Sequence, residues 1–141
     1  MRKPRVIIYD DEITILTVLK DFFSQMNYEV LTYDEPIVCP MYEKNADDCI
    51  EHNPCADIML TDFRMPRMNG IELLEKQSQR GCRAGIGNKA IMTANLDNAN
   101  KRLIKKLGYA YFKKPFSLKE LSDWVKGCEN RMDLSRPLNI L

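Results

Sequence analysis

Short apolar runs alternate with longer amphipathic ones along the chain. Arg5–Tyr9 (RVIIY) reads as a first strand. Leu16, Leu19, Phe23 and Met26 share one stripe and predict a helix over 13–26. Further strands are expected over 28–33, 58–61, Lys89–Thr93 and 109–112. Helices are expected over 71–80 and over Asn98–Leu107, the latter closed by Gly108, a residue suited to a left-handed cap. The last helix has the clearest start. Ser117 and Glu120 form a capping box, and Leu118, Leu121, Val125, Cys128 and Met132 then follow at spacings of three and four. The segment 34–56 is irregular, with Pro36, Pro40 and Pro54 among Cys39, Cys49 and Cys55. There we expect a loop, a helix within 41–51 and a second loop.

Strands alternating with helices mean βαβ units, and so an α/β fold built on a mostly parallel sheet. Right-handed crossovers put helices on both faces. Ligands of such sheets sit outside the carboxyl ends of the strands, where strand order reverses. Four strand ends carry the polar residues of interest. The first ends in Asp10, Asp11 and Glu12, the third in Asp62, the fourth in Thr93, and the fifth in Lys113, Lys114 and Pro115. A strand order of 2-1-3-4-5 brings these ends to one edge. A carboxylate closing a buried strand is costly unless something there uses its charge.

These residues resemble the response-regulator receiver domains of two-component signalling. The resemblance rests on Asp10-Asp11, on Asp62 in DFRMPRMNG, on Thr93 in MTAN, on Tyr111, and on Lys114-Pro115-Phe116, in that order. It implies a flavodoxin-like (βα)5 doubly wound sheet, with residues 1–132 as the receiver domain and 133–141 as a tail without an output domain. It also implies that Asp62 takes a phosphoryl group from a sensor histidine kinase or phosphotransfer protein. Mg²⁺, or Mn²⁺, would be held directly by Asp11, Asp62 and the backbone carbonyl of Arg64, with Asp10 acting through water. Thr93 and Lys114 would meet the phosphoryl group, Tyr111 would swing behind Thr93, and the Lys114–Pro115 bond would be cis. The implied output is altered docking on the face built from the helix over 98–107, the fifth strand and the last helix. Its targets would be an unidentified downstream protein or, on activation, a second copy of the chain.

The charges agree with this picture. Three carboxylates need a cation, and hard oxygen ligands suit Mg²⁺. A divalent ion and Lys114 would balance them. Plainer readings stand beside these: a capping or loop role for Asp62, helix-dipole complementarity for Asp10 and Asp11, a strand-end hydroxyl for Thr93, and a half-buried strand aromatic for Tyr111. Lys101, Arg102, Lys105 and Lys106 make one side of their helix basic, as a solvated face or as a dock for an acidic partner.

Bulk properties narrow the function classes. The chain has 141 residues and net charge +1, with no long apolar run. This suits one domain and gives no reason to expect direct nucleic-acid or membrane binding. The N-terminus lacks a signal-peptide core, so a cytoplasmic location is expected.

Cys128 falls on the core stripe of the last helix. Cys39, Cys49, Cys55 and Cys82 could gather below the sheet and hold Zn²⁺ or an iron–sulfur cluster, with His52 as a substitute ligand. That alternative is a metal- or redox-sensing interaction domain. An acid-phosphatase-like hydrolase also uses an aspartyl phosphate, but it wants a second aspartate where this chain has Arg64.

Overall fold

The computed structural model describes residues 1–37 and 53–139. The helix expected within 41–51 lies outside the described residues. The elements are β1 (Arg5–Tyr9), α1 (Ile13–Gln25), β2 (Glu29–Tyr33), β3 (Ile58–Asp62), α2 (Gly70–Gln79), β4 (Lys89–Thr93), α3 (Asn98–Leu107), β5 (Ala110–Lys113) and α4 (Leu118–Glu129). The five strands are parallel and run in the order β2-β1-β3-β4-β5.

Every residue of β1, β3 and β4 is buried. A central parallel strand is covered on both faces, which is why these segments are apolar along almost their whole length. Alternate side chains divide between two layers. Val6, Ile8, Leu60 and Met92 pack with Leu19 and Phe23 of α1 and with Leu121, Val125 and Cys128 of α4. Ile7, Tyr9 and Met59 face Leu73 of α2, and Ile91 lies with Leu74 of α2 and Ile104 of α3. Helices therefore cover both faces, two on each among the described residues.

Observed element ends differ from the expected ones by a residue or so, and side chains account for the clearest cases. α2 starts at Gly70 because Asn69 and Glu72 form a capping box. Tyr28 and Tyr109 stand just before their strands, each buried and each donating its hydroxyl to a carboxylate, Glu129 and Glu75. Gly108, at φ 87°, closes α3 in the left-handed conformation.

The tail folds back under the amino ends of the strands. Arg2 donates to the Arg136 carbonyl at 2.6 Å, and Arg5 donates to the Asn139 carbonyl at 2.8 Å. Asn139 is buried and donates to the Asn53 carbonyl.

Candidate functional site

The loops leaving β1, β3, β4 and β5 meet at the carboxyl edge of the sheet. β1 delivers Asp10 and Asp11, and β3 ends on Asp62. Asp10 is fully buried and Asp62 is nearly so, whereas Asp11 is exposed. One carboxylate oxygen from each lies within 4.8 Å of the others, the spacing of a shared cation site. Three hard oxygen donors beside open solvent suit a small, partly hydrated divalent ion.

Lys114 ties the edge together. Its ammonium donates to Asp10 Oδ2 at 2.8 Å and to Asp62 Oδ1 at 3.3 Å, and it lies 3.9 Å from Glu12 Oε1. The Lys114–Pro115 peptide bond is cis, and the Lys114 N–H donates to the Thr93 carbonyl, continuing the pairing of β4 with β5. Burial works against the ammonium, yet Asp10 and Asp62 outweigh it and the Lys114 pKa is raised. One lysine does not neutralise the edge. Burial first, and the Asp10 charge second, push Asp62 up to about 6 despite the pull of Lys114.

The mouth above Asp62 is a cleft of about 290 Å³, bordered by Asp11, Arg64, Thr93, Asn95 and Lys114. Arg64 is exposed. Thr93 is buried and its hydroxyl donates to the Asn95 carbonyl at 3.2 Å. Tyr111 lies one layer below, packed with Phe63, Leu96 and Leu107 against Ile104. Its hydroxyl is buried and makes no hydrogen bond among the described residues.

The loop after Asp62 holds this arrangement closely. Phe63 donates its N–H to the Met92 carbonyl, and Gly70 donates to the Phe63 carbonyl, both at 2.8 Å. Arg67 is left-handed at φ 70°. A Cβ on Gly70 would stand 2.7 Å from the Asp62 carbonyl oxygen, so only glycine lets α2 begin so near the strand end. Sequence reasoning missed Asn95 and the Asn69 cap, and carried Gly70 only as the end of the DFRMPRMNG stretch. An N-x-x-E pattern over 69–72 was the available signal for the cap.

Among the described residues no cysteine joins such a cluster. Cys39, Cys49 and His52 lie outside the described residues. Cys55 and Cys82 pack in one apolar cluster at the other end of the sheet, with Ile7, Met59, Leu73 and Ala84. Cys128 is fully buried in the core. Among the described residues the candidate metal group is Asp10, Asp11 and Asp62. Zn²⁺ or an iron–sulfur cluster has no support, and the metal- or redox-sensing alternative is not favoured. No helix among the described residues is long and apolar enough to cross a membrane.

Comparison with known proteins points one way. The family model described as "Response regulator receiver domain" matches residues 6–126. The chain is 26% identical over 134 residues to the alkaline phosphatase synthesis transcriptional regulatory protein PhoP of Bacillus subtilis, covering 94% of this chain and 51% of PhoP. It is 27% identical to sporulation initiation phosphotransferase F of the same organism, covering 89% of this chain and 94% of that protein. The chain spans only 19% of the Oryza sativa two-component response regulator ORR26. Among solved structures, the receiver domain of the Francisella response regulator 1452 superposes with a TM-score of 0.73 at 23% identity, over 93% of this chain and all of that one.

Proposed function

The chain belongs to the response regulator receiver domain family, and from that membership we propose that it is a switch set by phosphorylation of Asp62. The reading is carried by one observation. Three carboxylates from β1 and β3 share a cation-sized space, and Lys114 bridges two of them. The supporting domain assignment is 1–132 for the receiver and 133–141 for the tail.

Asp10, Asp11, Asp62 and the Arg64 carbonyl would hold Mg²⁺, or Mn²⁺, which when bound neutralises phosphoryl oxygens and lets a dianion approach the carboxylates. The chain's own residues supply the rest. An Asp62 carboxylate oxygen attacks phosphorus, the P–N bond of a donor phosphohistidine breaks, and its electron pair leaves with the imidazole nitrogen. Lys114 stabilises charge on the transferring group. The domain catalyses its own phosphorylation and dephosphorylation and acts on no other substrate.

A histidine kinase or phosphotransfer protein is the donor. An apolar groove of about 370 Å³ beside Lys114, walled by Ile15 and Val18 of α1 and by Pro115, Phe116 and Leu118, offers that donor a grip next to Asp62.

With a divalent ion and Lys114 counted, the phosphorylated site is left with one negative charge in excess, and its oxygens seek donors. Thr93 gives up Asn95 to meet them, and Tyr111 follows into the space behind. The face of α3, β5 and α4 then changes its docking preference, whether for a downstream protein or for a second copy. The test is intact mass after incubation with Mg²⁺ and acetyl phosphate, followed by a kinase donor. Wild type gains one phosphoryl group and Asp62→Ala gains none. A wild type left unchanged by both donors, or an Asp62→Ala chain that still gains mass, overturns the reading.

A further inference from the structure

The net charge of +1 conceals a segregated charge pattern. From 98 to 119 the sequence contains Lys101, Arg102, Lys105, Lys106, Lys113, Lys114 and Lys119 and no acidic residue. α4 is built differently, since Lys119 pairs with Asp123 at 2.8 Å and Glu120 and Glu129 sit among its lysines. In α3 only Ile104 is buried. Lys101, Arg102, Lys105 and Lys106 are all exposed, and no ion pair or hydrogen bond engages their side chains among the described residues.

Their spacing makes two parallel rows. Lys101 lies one turn from Lys105, and Arg102 one turn from Lys106, so like charges face each other along both rows. That arrangement disfavours the helix. The macrodipole explains Lys105 and Lys106, which stand in the last turn. It gives no support to Lys101 and Arg102 near the start. Leu103, 38% exposed, adds an apolar edge to the same surface.

We propose that the exposed face of α3 docks an acidic segment of a partner protein, with carboxylates meeting the two cation rows and an apolar side chain resting on Leu103. The inference deepens the switch reading and rests on it, since α3 follows directly from the loop that Thr93 holds. A second copy presenting the same face would set cations against cations. A nucleic acid would want a broader basic field than one helix on a nearly neutral chain. An apolar contact edged with charge fits a protein interface.

The probe is fluorescein-labelled poly-L-glutamate, with a labelled DNA duplex of equal charge as the rival, followed by anisotropy and by amide hydrogen exchange of the full chain. Poly-glutamate should bind in a salt-sensitive way and protect amides in 98–113. The double variant Lys101→Ala/Arg102→Ala should bind about tenfold more weakly while taking up a phosphoryl group on Asp62 as wild type does. Protection elsewhere, equal affinity in the variant, tighter DNA binding, or a wild-type dimer in sedimentation that the variant loses would each overturn the proposal. Wild type that fails to gain mass from either donor would instead remove the switch reading on which it rests.

Discussion

The two ends of the sheet handle charge in opposite ways. At the amino end, Arg2 forms paired hydrogen bonds with Asp57 at 2.7 and 2.8 Å, and Arg5 reaches Glu29 and two carbonyls. Arg131 donates to Asn88 and to the Gly87 carbonyl. Each of these guanidinium groups has partners on the spot, so the cluster holds the chain together and needs nothing from solution. At the carboxyl end three carboxylates share one lysine, and with all three ionised the shortfall is two positive charges. Both ends are polar and both are partly buried. A chemical role follows from the imbalance, because only the unbalanced end gains from a cation or from a new anion held by one.

The sharpest way to break this contrast is to damage the balanced end. Arg5→Met leaves the buried carbonyls of Cys55 and Asn139 without their donor. An unsatisfied buried acceptor costs ~1–3 kcal/mol, so a loss near 3 kcal/mol in denaturant unfolding is expected. Phosphoryl uptake from acetyl phosphate by the remaining folded protein should be unchanged. If uptake fell in proportion to nothing but this arginine, the two ends would be coupled and the division of labour would fail.

The unbalanced end should be destabilising in its empty state, and pH reports it. The Asp62 carboxyl moves from 3.8 to about 6 on folding. Across that interval the folded chain keeps a proton that the unfolded chain has released. Stability therefore falls as pH rises through the window and stays lower above it, by at most about 3 kcal/mol. Asp62→Asn should flatten the slope and raise the midpoint at neutral pH. Saturating Mg²⁺ should recover much of the same stability for wild type and less for the variant. A wild-type midpoint that rises through this window would contradict the assignment of strain to the carboxylates.

The contrast also explains what could be read from the letters. A site at the carboxyl end is composed of residues adjoining strands, and the strands announce themselves by apolar runs, so Asp10, Asp11, Asp62, Thr93 and Lys114 were visible at once. The α/β order followed from the same alternation. The balanced end is assembled from pieces far apart in the chain: Arg2 with Asp57, Asn88 with Arg131, Asn139 with Asn53. No local pattern marks such pairs, and 133–139 read only as a tail. Asn95 was missed for a related reason, since it contributes a backbone carbonyl and its side-chain identity carries no signal. Cys55 and Cys82 fall in one apolar cluster, where Cys55 Sγ accepts from the Asn139 side chain at 3.5 Å, and periodicity does not tell such packed thiols from metal ligands.

A pair of glycines gives the finest test, one from each end. Gly70 closes the loop after Asp62, where a Cβ would meet the Asp62 carbonyl oxygen at 2.7 Å. Backbone must move to admit it, so Gly70→Ala should cost about 2 kcal/mol. Because the displaced residue is the proposed nucleophile, uptake should slow by about tenfold or more. Gly108 ends α3 at the opposite edge, at φ 87°, with Ile86 Cγ2 3.2 Å from the place of a Cβ. Gly108→Ala forces a side chain into the left-handed region, for about 1 kcal/mol. That loss should leave the uptake rate alone, because the cap touches neither a carboxylate nor Lys114. Equal slowing in the two variants would mean that uptake follows general stability rather than the geometry around Asp62. Slowing in Gly70→Ala alone would place the demand for accuracy at the carboxyl edge, where the charges are left unmatched.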